Sequence, residues 1–133
     1  MVNTILITDD SKLARTVIRR CLEIIGYREA TFYEASNGKE AVEFVIKKAV
    51  DLIITGINMP VMDGRTLLRF IKASSKFTDI PILIISNTSS TIQNEEFTSL
   101  GASEVLKKPV SPANIAQAIK KIIQKSDFIQ AEL

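Results

Sequence analysis

No histidine occurs anywhere in the 133 residues, and that absence removes a Ser-His-Asp triad, His-ligated zinc and a histidine general base supplied by this chain. Cysteine appears once, at Cys21, so no internal disulfide can form; its apolar neighbours predict a reduced core thiol, which suits a reducing compartment. Neither sign of charge dominates. Seventeen basic against fifteen acidic side chains leave +2, too little to argue for nucleic acid or an anionic membrane. No apolar run reaches the roughly 20 residues that a spanning helix needs. The opening MVNTILITDD has neither a basic leader nor a cleavage site, so the expectation is a soluble cytoplasmic protein with no membrane partner. Glycine loops of the G-x-x-x-x-G-K-[ST] or G-x-G-x-x-G kind are also missing, which counts against a self-standing nucleotide enzyme or hydrolase.

What remains is an ordinary globular composition, 46% hydrophobic and 24% charged, at a length that suits one domain over 1–125 followed by a short tail, 126–133. Short apolar runs alternate with segments of helical period five times over. TILIT (4–8), TFYEA (31–35), DLIIT (51–55), IPILIIS (80–86) and SEVLK (103–107) read as strands. Between them the first helix is expected to bury Ala14, Val17, Cys21 and Ile25, with Ser11 as N-cap and Gly26 as its stop. The second opens at Asn37 and presents Ala41, Val42, Val45, Ile46 and Ala49; the third runs from Gly64 to about Ser74 around Leu67, Leu68 and Ile71. The fourth, within TSSTIQNEEFTSLG, is polar and weakly amphipathic, and the fifth starts near Pro112 and carries Ile115, Ile119, Ile122 and Ile123. Strands that are apolar throughout and separated by helices predict a doubly wound three-layer α/β sandwich with a parallel sheet.

Ligands of such sheets bind at the carboxyl ends of the strands. Collected on that edge, the residues after each strand are Asp9 and Asp10, Gly56 with Asn58, Ser86 with Asn87, and Lys108. Each alone has a plainer role: Asp-Asp as a helix cap, Ser86 as a loop hydroxyl, Lys108-Pro109 as a turn. Together they are oxygen donors suited to Mg²⁺, plus a hydroxyl and an ammonium suited to a phosphoryl group.

These stretches, ILITDDS, DLIITGINMPVMDG, ILIISN and GASEVLKKP in this order, resemble the receiver domain of bacterial response regulators, especially the stand-alone chemotaxis type. The resemblance implies the flavodoxin-like strand order 2-1-3-4-5 and transfer of a phosphoryl group from a phosphohistidine on a partner kinase or phosphotransfer protein to an aspartate. It also implies that Asp10 binds Mg²⁺ directly, Asp9 largely through water, and Asn58 through its main-chain carbonyl. Ser86 and Lys108 are then the phosphoryl ligands. The aspartate belongs at position 56, where this chain has Gly56.

Glycine cannot attack phosphorus or give the metal a third carboxylate. The expectation is therefore no phosphoryl acceptance, weakened Mg²⁺ binding, and Lys108 turned toward Asp9 and Asp10. Thr55 belongs to the strand, and Asp63 lies beyond the Met-Pro turn, so neither is a natural substitute. Glycine costs roughly 0.5 to 1 kcal/mol in backbone entropy, while removal of one crowded carboxylate relieves repulsion. A second departure is Val105, where many receivers have an aromatic switch residue and a β-branched side chain has few rotamers. Family output runs through the fourth helix, fifth strand and fifth helix, which directs a downstream protein target to the surface near Glu95, Glu96, Lys107 and Lys120. Two readings stand side by side: a phosphorelay receiver whose aspartate has been replaced, and a pseudo-receiver that works as a phosphorylation-independent binding module.

Overall fold

A computed structural model describes residues 2–132, with side chains described as far as Lys125. The order is β1 (Thr4–Thr8), α1 (Lys12–Ile24), β2 (Thr31–Ala35), α2 (Gly38–Lys47), β3 (Leu52–Thr55), α3 (Gly64–Ala73), β4 (Ile82–Ser86), α4 (Thr91–Ser99), β5 (Glu104–Lys107) and α5 (Pro112–Glu132). All four strand pairings are parallel, and the sheet order is β2-β1-β3-β4-β5. This is the flavodoxin-like arrangement expected above.

Alternation along each strand feeds two cores. Ile5, Ile7, Leu52, Ile54, Leu83 and Ile85 pack beneath α1 and α5, whereas Leu6, Ile53, Ile82 and Ile84 face α2, α3 and α4. Strands buried on both faces have no polar side to show, which is why their sequences read as unbroken apolar runs. Ser11 and Asn37 cap their helices as expected, accepting from the amides of Ala14 and Glu40, and Asp63 caps α3 by accepting from Thr66. Gly26 follows α1 at φ 117°, a backbone region open to glycine at little cost.

Several expected helix faces are rotated. In α1 the buried set is Ile18, Cys21 and Leu22, and Val17 is exposed. The apolar residues of that helix form an arc over about half of its circumference, wider than the strip that meets the sheet, so spacing alone did not choose which part turns inward. In α5, Ala118 joins Ile115, Ile119 and Ile122 inside, and Ile123 is exposed. In α2, Ala41 and Val45 are buried but Ile46 points outward, and Ala49 lies beyond the last turn.

Boundaries move by one or two residues. Asp51 stays out of β3 because its carboxylate accepts from the amides of Asn3 and Thr4, both at 2.9 Å. Ser103 stays out of β5, its hydroxyl accepting from the Ile82 amide at 3.2 Å. The helix α5 continues to Glu132, past the expected domain end at 125; the side chains of the tail lie outside the described residues.

Burial raises the pKa of the Cys21 thiol above its ordinary value. A neutral, covered thiol reacts slowly. Alkylation by iodoacetamide should therefore be near zero in the native protein and complete in denaturant, and rapid native labelling would show that α1 does not pack as described.

Candidate functional site

Every residue expected at the strand ends lines one open cavity of about 490 Å³: Asp9, Asp10, Gly56, Asn58, Ser86, Asn87 and Lys108. Their convergence follows from the backbone. The Asp9 amide donates to Ala35 O, continuing the β1–β2 ladder by one residue. Gly56 donates to Thr8 O at 2.9 Å, and Lys108 donates through its amide to Ser86 O at 2.8 Å. The ends of β2, β1 and β3 are thus tied edge to edge, and the turn after β5 is tied to the end of β4. The Lys108-Pro109 peptide is cis.

The two adjacent carboxylates differ sharply in setting. Asp9 is only 3% exposed, and Asp10 stands at the rim in solvent. Asp9 Oδ1 accepts from the Ser11 amide at 2.9 Å, while Oδ2 faces Lys108 Nζ at 3.4 Å. Lys108 thus turns toward Asp9, as expected; its ion pairing is with Asp9 and not Asp10. The Asp9 main-chain carbonyl accepts from Arg15 at 2.7 Å, and Arg15 is itself held by Glu34 at 3.0 Å, so the turn carrying both carboxylates is braced from behind.

Gly56 is central to this geometry. A Cβ built there meets Asp9 Oδ2 at 2.8 Å and otherwise touches nothing closer than Asp9 Cγ at 3.5 Å. The buried Asp9 carboxylate therefore leans into space that any side chain at 56 would claim. Ser86 is buried, and its hydroxyl oxygen accepts from the Thr88 amide at 3.1 Å, leaving its hydrogen to donate elsewhere.

Residues expected to stay apart do so. The Thr55 hydroxyl donates to Gly56 O at 2.9 Å, and the Asp63 carboxylate caps α3, so both are otherwise engaged. Val105 is half-buried and, with Glu95, lines a separate groove of about 560 Å³ between α4 and β5. Lys107 and Lys120 are exposed, whereas Glu96 pairs with Arg65 at 3.3 Å.

Across residues 5–120 the chain matches the response regulator receiver domain. The chain belongs to the response regulator receiver family. It is 34% identical over 122 residues to the two-component response regulator ORR3 of Oryza sativa subsp. indica, covering 91% of each chain. It is 30% identical to the sensor histidine kinase CheAY of Helicobacter pylori, but spans only 15% of that protein. Among solved structures, chemotaxis response regulator CheY4 of Vibrio cholerae superposes with TM-score 0.81 at 26% identity, covering 92% of this chain and 99% of that one. A receiver is a signalling module that works with histidine kinases and downstream effectors. Among the described residues of this receiver, no helix is long and apolar enough to cross a membrane.

Sequence reasoning missed Arg65, Thr88, Gln93 and Phe97, which also line the cavity. Arg65 is the notable omission. It lies in the first turn of α3, where the helix dipole disfavours a cation, and that misplaced charge was the available signal. Glu96 and the face of Phe97, 5.3 Å from the guanidinium carbon, hold it there. Its Nε is buried and has no acceptor.

Proposed function

We propose that this chain is a single-domain receiver of a two-component phosphorelay that is held in the unphosphorylated state by Gly56. The observation that carries the reading is the intact cradle around a missing nucleophile. Asp9, Asp10, Asn58, Ser86 and Lys108 surround position 56 in one cavity, and only the acceptor carboxylate is lacking. Thr55 and Asp63, the nearest candidates in the sequence, are already engaged, the hydroxyl of one by Gly56 O and the carboxylate of the other by the Thr66 amide.

The donor set fits Mg²⁺ less one ligand: two carboxylates on adjacent residues and the Asn58 carbonyl are hard oxygens of the right kind, and no cluster of three acidic, histidine or cysteine side chains exists among the described residues. When bound, Mg²⁺ supplies neutralising charge beside a phosphoryl group. In this chain Asp9 and Asp10 would hold it, Ser86 would donate its hydroxyl hydrogen to a phosphoryl oxygen, and Lys108 would exchange Asp9 for another. The protein's own output then comes from its resting surface, through α4, β5 and α5, to a kinase, phosphotransfer protein or effector in the cytoplasm. Val105 favours a second reading, a pseudo-receiver that binds a partner without any phosphorylation history, because a half-buried valine cannot swing as an aromatic would.

Intact-mass spectrometry after incubation with Mg²⁺ and acetyl phosphate separates the two. Gly56→Asp should gain one phosphoryl mass while the native chain gains none. If neither gains it, the pseudo-receiver reading stands; if the native chain gains it, the nucleophile lies elsewhere.

A further inference from the structure

We infer that α4 is a movable wall shared by two cavities, and that Arg65 is the latch that holds it in place. The inference stands apart from the reading of position 56. One helix lines both spaces: Gln93 and Phe97 line the cavity at the strand ends, and Thr91, Asn94 and Thr98 line the groove beside β5. Little else anchors it. Of its nine residues only Phe97 is buried, whereas the ten of α3 bury Gly64, Leu67, Leu68 and Ile71. A helix so short is marginal by itself, so its position depends on what grips it from outside.

Arg65 grips it at two consecutive residues. Its Nη1 pairs with Glu96 Oε1 at 3.3 Å, and its guanidinium carbon lies 5.3 Å from the centre of the Phe97 ring. Among the described residues this is the only salt bridge between α3 and α4. The other end of α3 supplies packing alone. There the Lys72 stem lies so close to Gly101, just past α4, that a Cβ on the glycine would stand 2.6 Å from Lys72 Cγ. The Lys72 ammonium is engaged elsewhere, by the carbonyls of Thr78 and Ile80, each at 2.8 Å.

The latch is poised, because the docked helix carries a cost on both flanks. Three buried side-chain polar atoms lack a partner among the described residues, and two of them flank α4: Arg65 Nε on the cavity side and Asn94 Oδ1 on the groove side. Each is costly while shut away and regains water when the helix moves off. Arg65 also stands in the first turn of α3, where the helix dipole disfavours a cation. Against these act one ring contact and an ion pair whose side chains are 33% and 42% exposed, which water screens. Opposed contributions of similar size place the closed and open arrangements close together. The chain therefore keeps a two-state element, on the border of its expected output face, that needs neither a phosphoryl group nor an aromatic at position 105.

The test is amide hydrogen exchange and chemical-shift mapping of the native chain beside Arg65→Gln, Glu96→Gln and the double variant. In the native chain the amides of 95–100 should exchange about a hundredfold faster than those of β3 and β4, through local opening. Glu96→Gln loses the ion pair and keeps the ring contact, so it should speed them about threefold. Arg65→Gln loses both but also removes the unpartnered Nε, for a net gain of about fivefold. The double variant should match Arg65→Gln, since both substitutions open one latch. Arg65→Gln should also shift the amides of Thr88 and Val105, one on each side of α4. Native α4 amides as protected as those of β3 overturn the inference, as does unchanged α4 exchange in either single variant. Equal acceleration throughout the sheet, a double variant that multiplies the two single effects, or shifts confined to one side of α4 overturn it too. Should Arg65→Gln fail to fold, Glu96→Gln, altered at the more exposed partner, decides the matter alone.

Discussion

Gly56→Asp should bind Mg²⁺ about tenfold to a hundredfold more tightly than the native chain, the equivalent of one charge-assisted contact of about 1.5–3 kcal/mol. The native site offers the carboxylates of Asp9 and Asp10, and Asp9 has Lys108 as its counter-ion at 3.4 Å. That pair is long, and Lys108 is one-third exposed, so it holds Asp9 only weakly. An aspartate at 56 places its Cβ 2.8 Å from Asp9 Oδ2, which forces the Asp9 carboxylate to turn against its contacts with the Ser11 amide and Lys108. Three carboxylates then crowd one cavity, and their mutual repulsion can be relieved only by a cation. The same substitution should consequently lower the melting temperature in a chelator and raise it in excess Mg²⁺, where ligand at about 100 times Kd adds about 2.7 kcal/mol. Calorimetric titration and thermal melts measure the two effects. Equal Mg²⁺ affinity in both chains would mean that Asp9 and Asp10 alone set the site, and the missing carboxylate would then not be a metal ligand.

The architecture was legible because strand burial leaves a plain mark. ILIIS and LIIT, buried on both faces, are apolar up to the Ser86 and Thr55 that end them at the site edge, and the helices between the strands force the parallel order. Once that order is known, the strand-end rule gathers Asp9, Gly56, Ser86 and Lys108 without any knowledge of side-chain contacts. Two kinds of feature were out of reach. One is the inward part of a wide apolar arc: that of α1 covers about half of the helix, and it hides Ile18 and Leu22 but exposes Leu13 and Val17, a choice made by packing against the sheet. The other is any asymmetry between like neighbours. Asp9 and Asp10 are identical in sequence, yet the backbone turn after β1 buries one and leaves the other at the rim. Arg65 escaped for a third reason: it follows no strand and reaches the cavity from the first turn of α3.

Gly64→Ala should cost about 3 kcal/mol of stability or more, a fall of about 10 °C in melting temperature for a chain of this length. Gly64 is not at positive φ, so backbone freedom is not the reason. A Cβ there collides with the main-chain oxygen of Gly56 and comes within 3.0 Å of Ile57 Cα. Those atoms are backbone, and no rotamer change moves them aside. The approach exists because the Gly64 amide donates to Ile57 O at 2.8 Å, which draws the start of α3 onto the loop that follows β3. Gly56 O is also occupied by the Thr55 hydroxyl at 2.9 Å, so pushing it outward breaks a buried hydrogen bond as well. Gly26→Ala is the appropriate comparison. Its φ is 117° but nothing lies within 4 Å of the added carbon, so it should cost only the backbone strain, about 1–2 kcal/mol. The two variants also differ in reach. Gly64→Ala displaces the loop bearing Gly56 and Asn58 and should weaken Mg²⁺ binding in the Gly56→Asp background, whereas Gly26→Ala, at the far end of α1, should leave it unchanged. Equal losses of stability, or unaltered Mg²⁺ affinity in Gly64→Ala, would show that the loop yields freely and that α3 does not set the floor of the site.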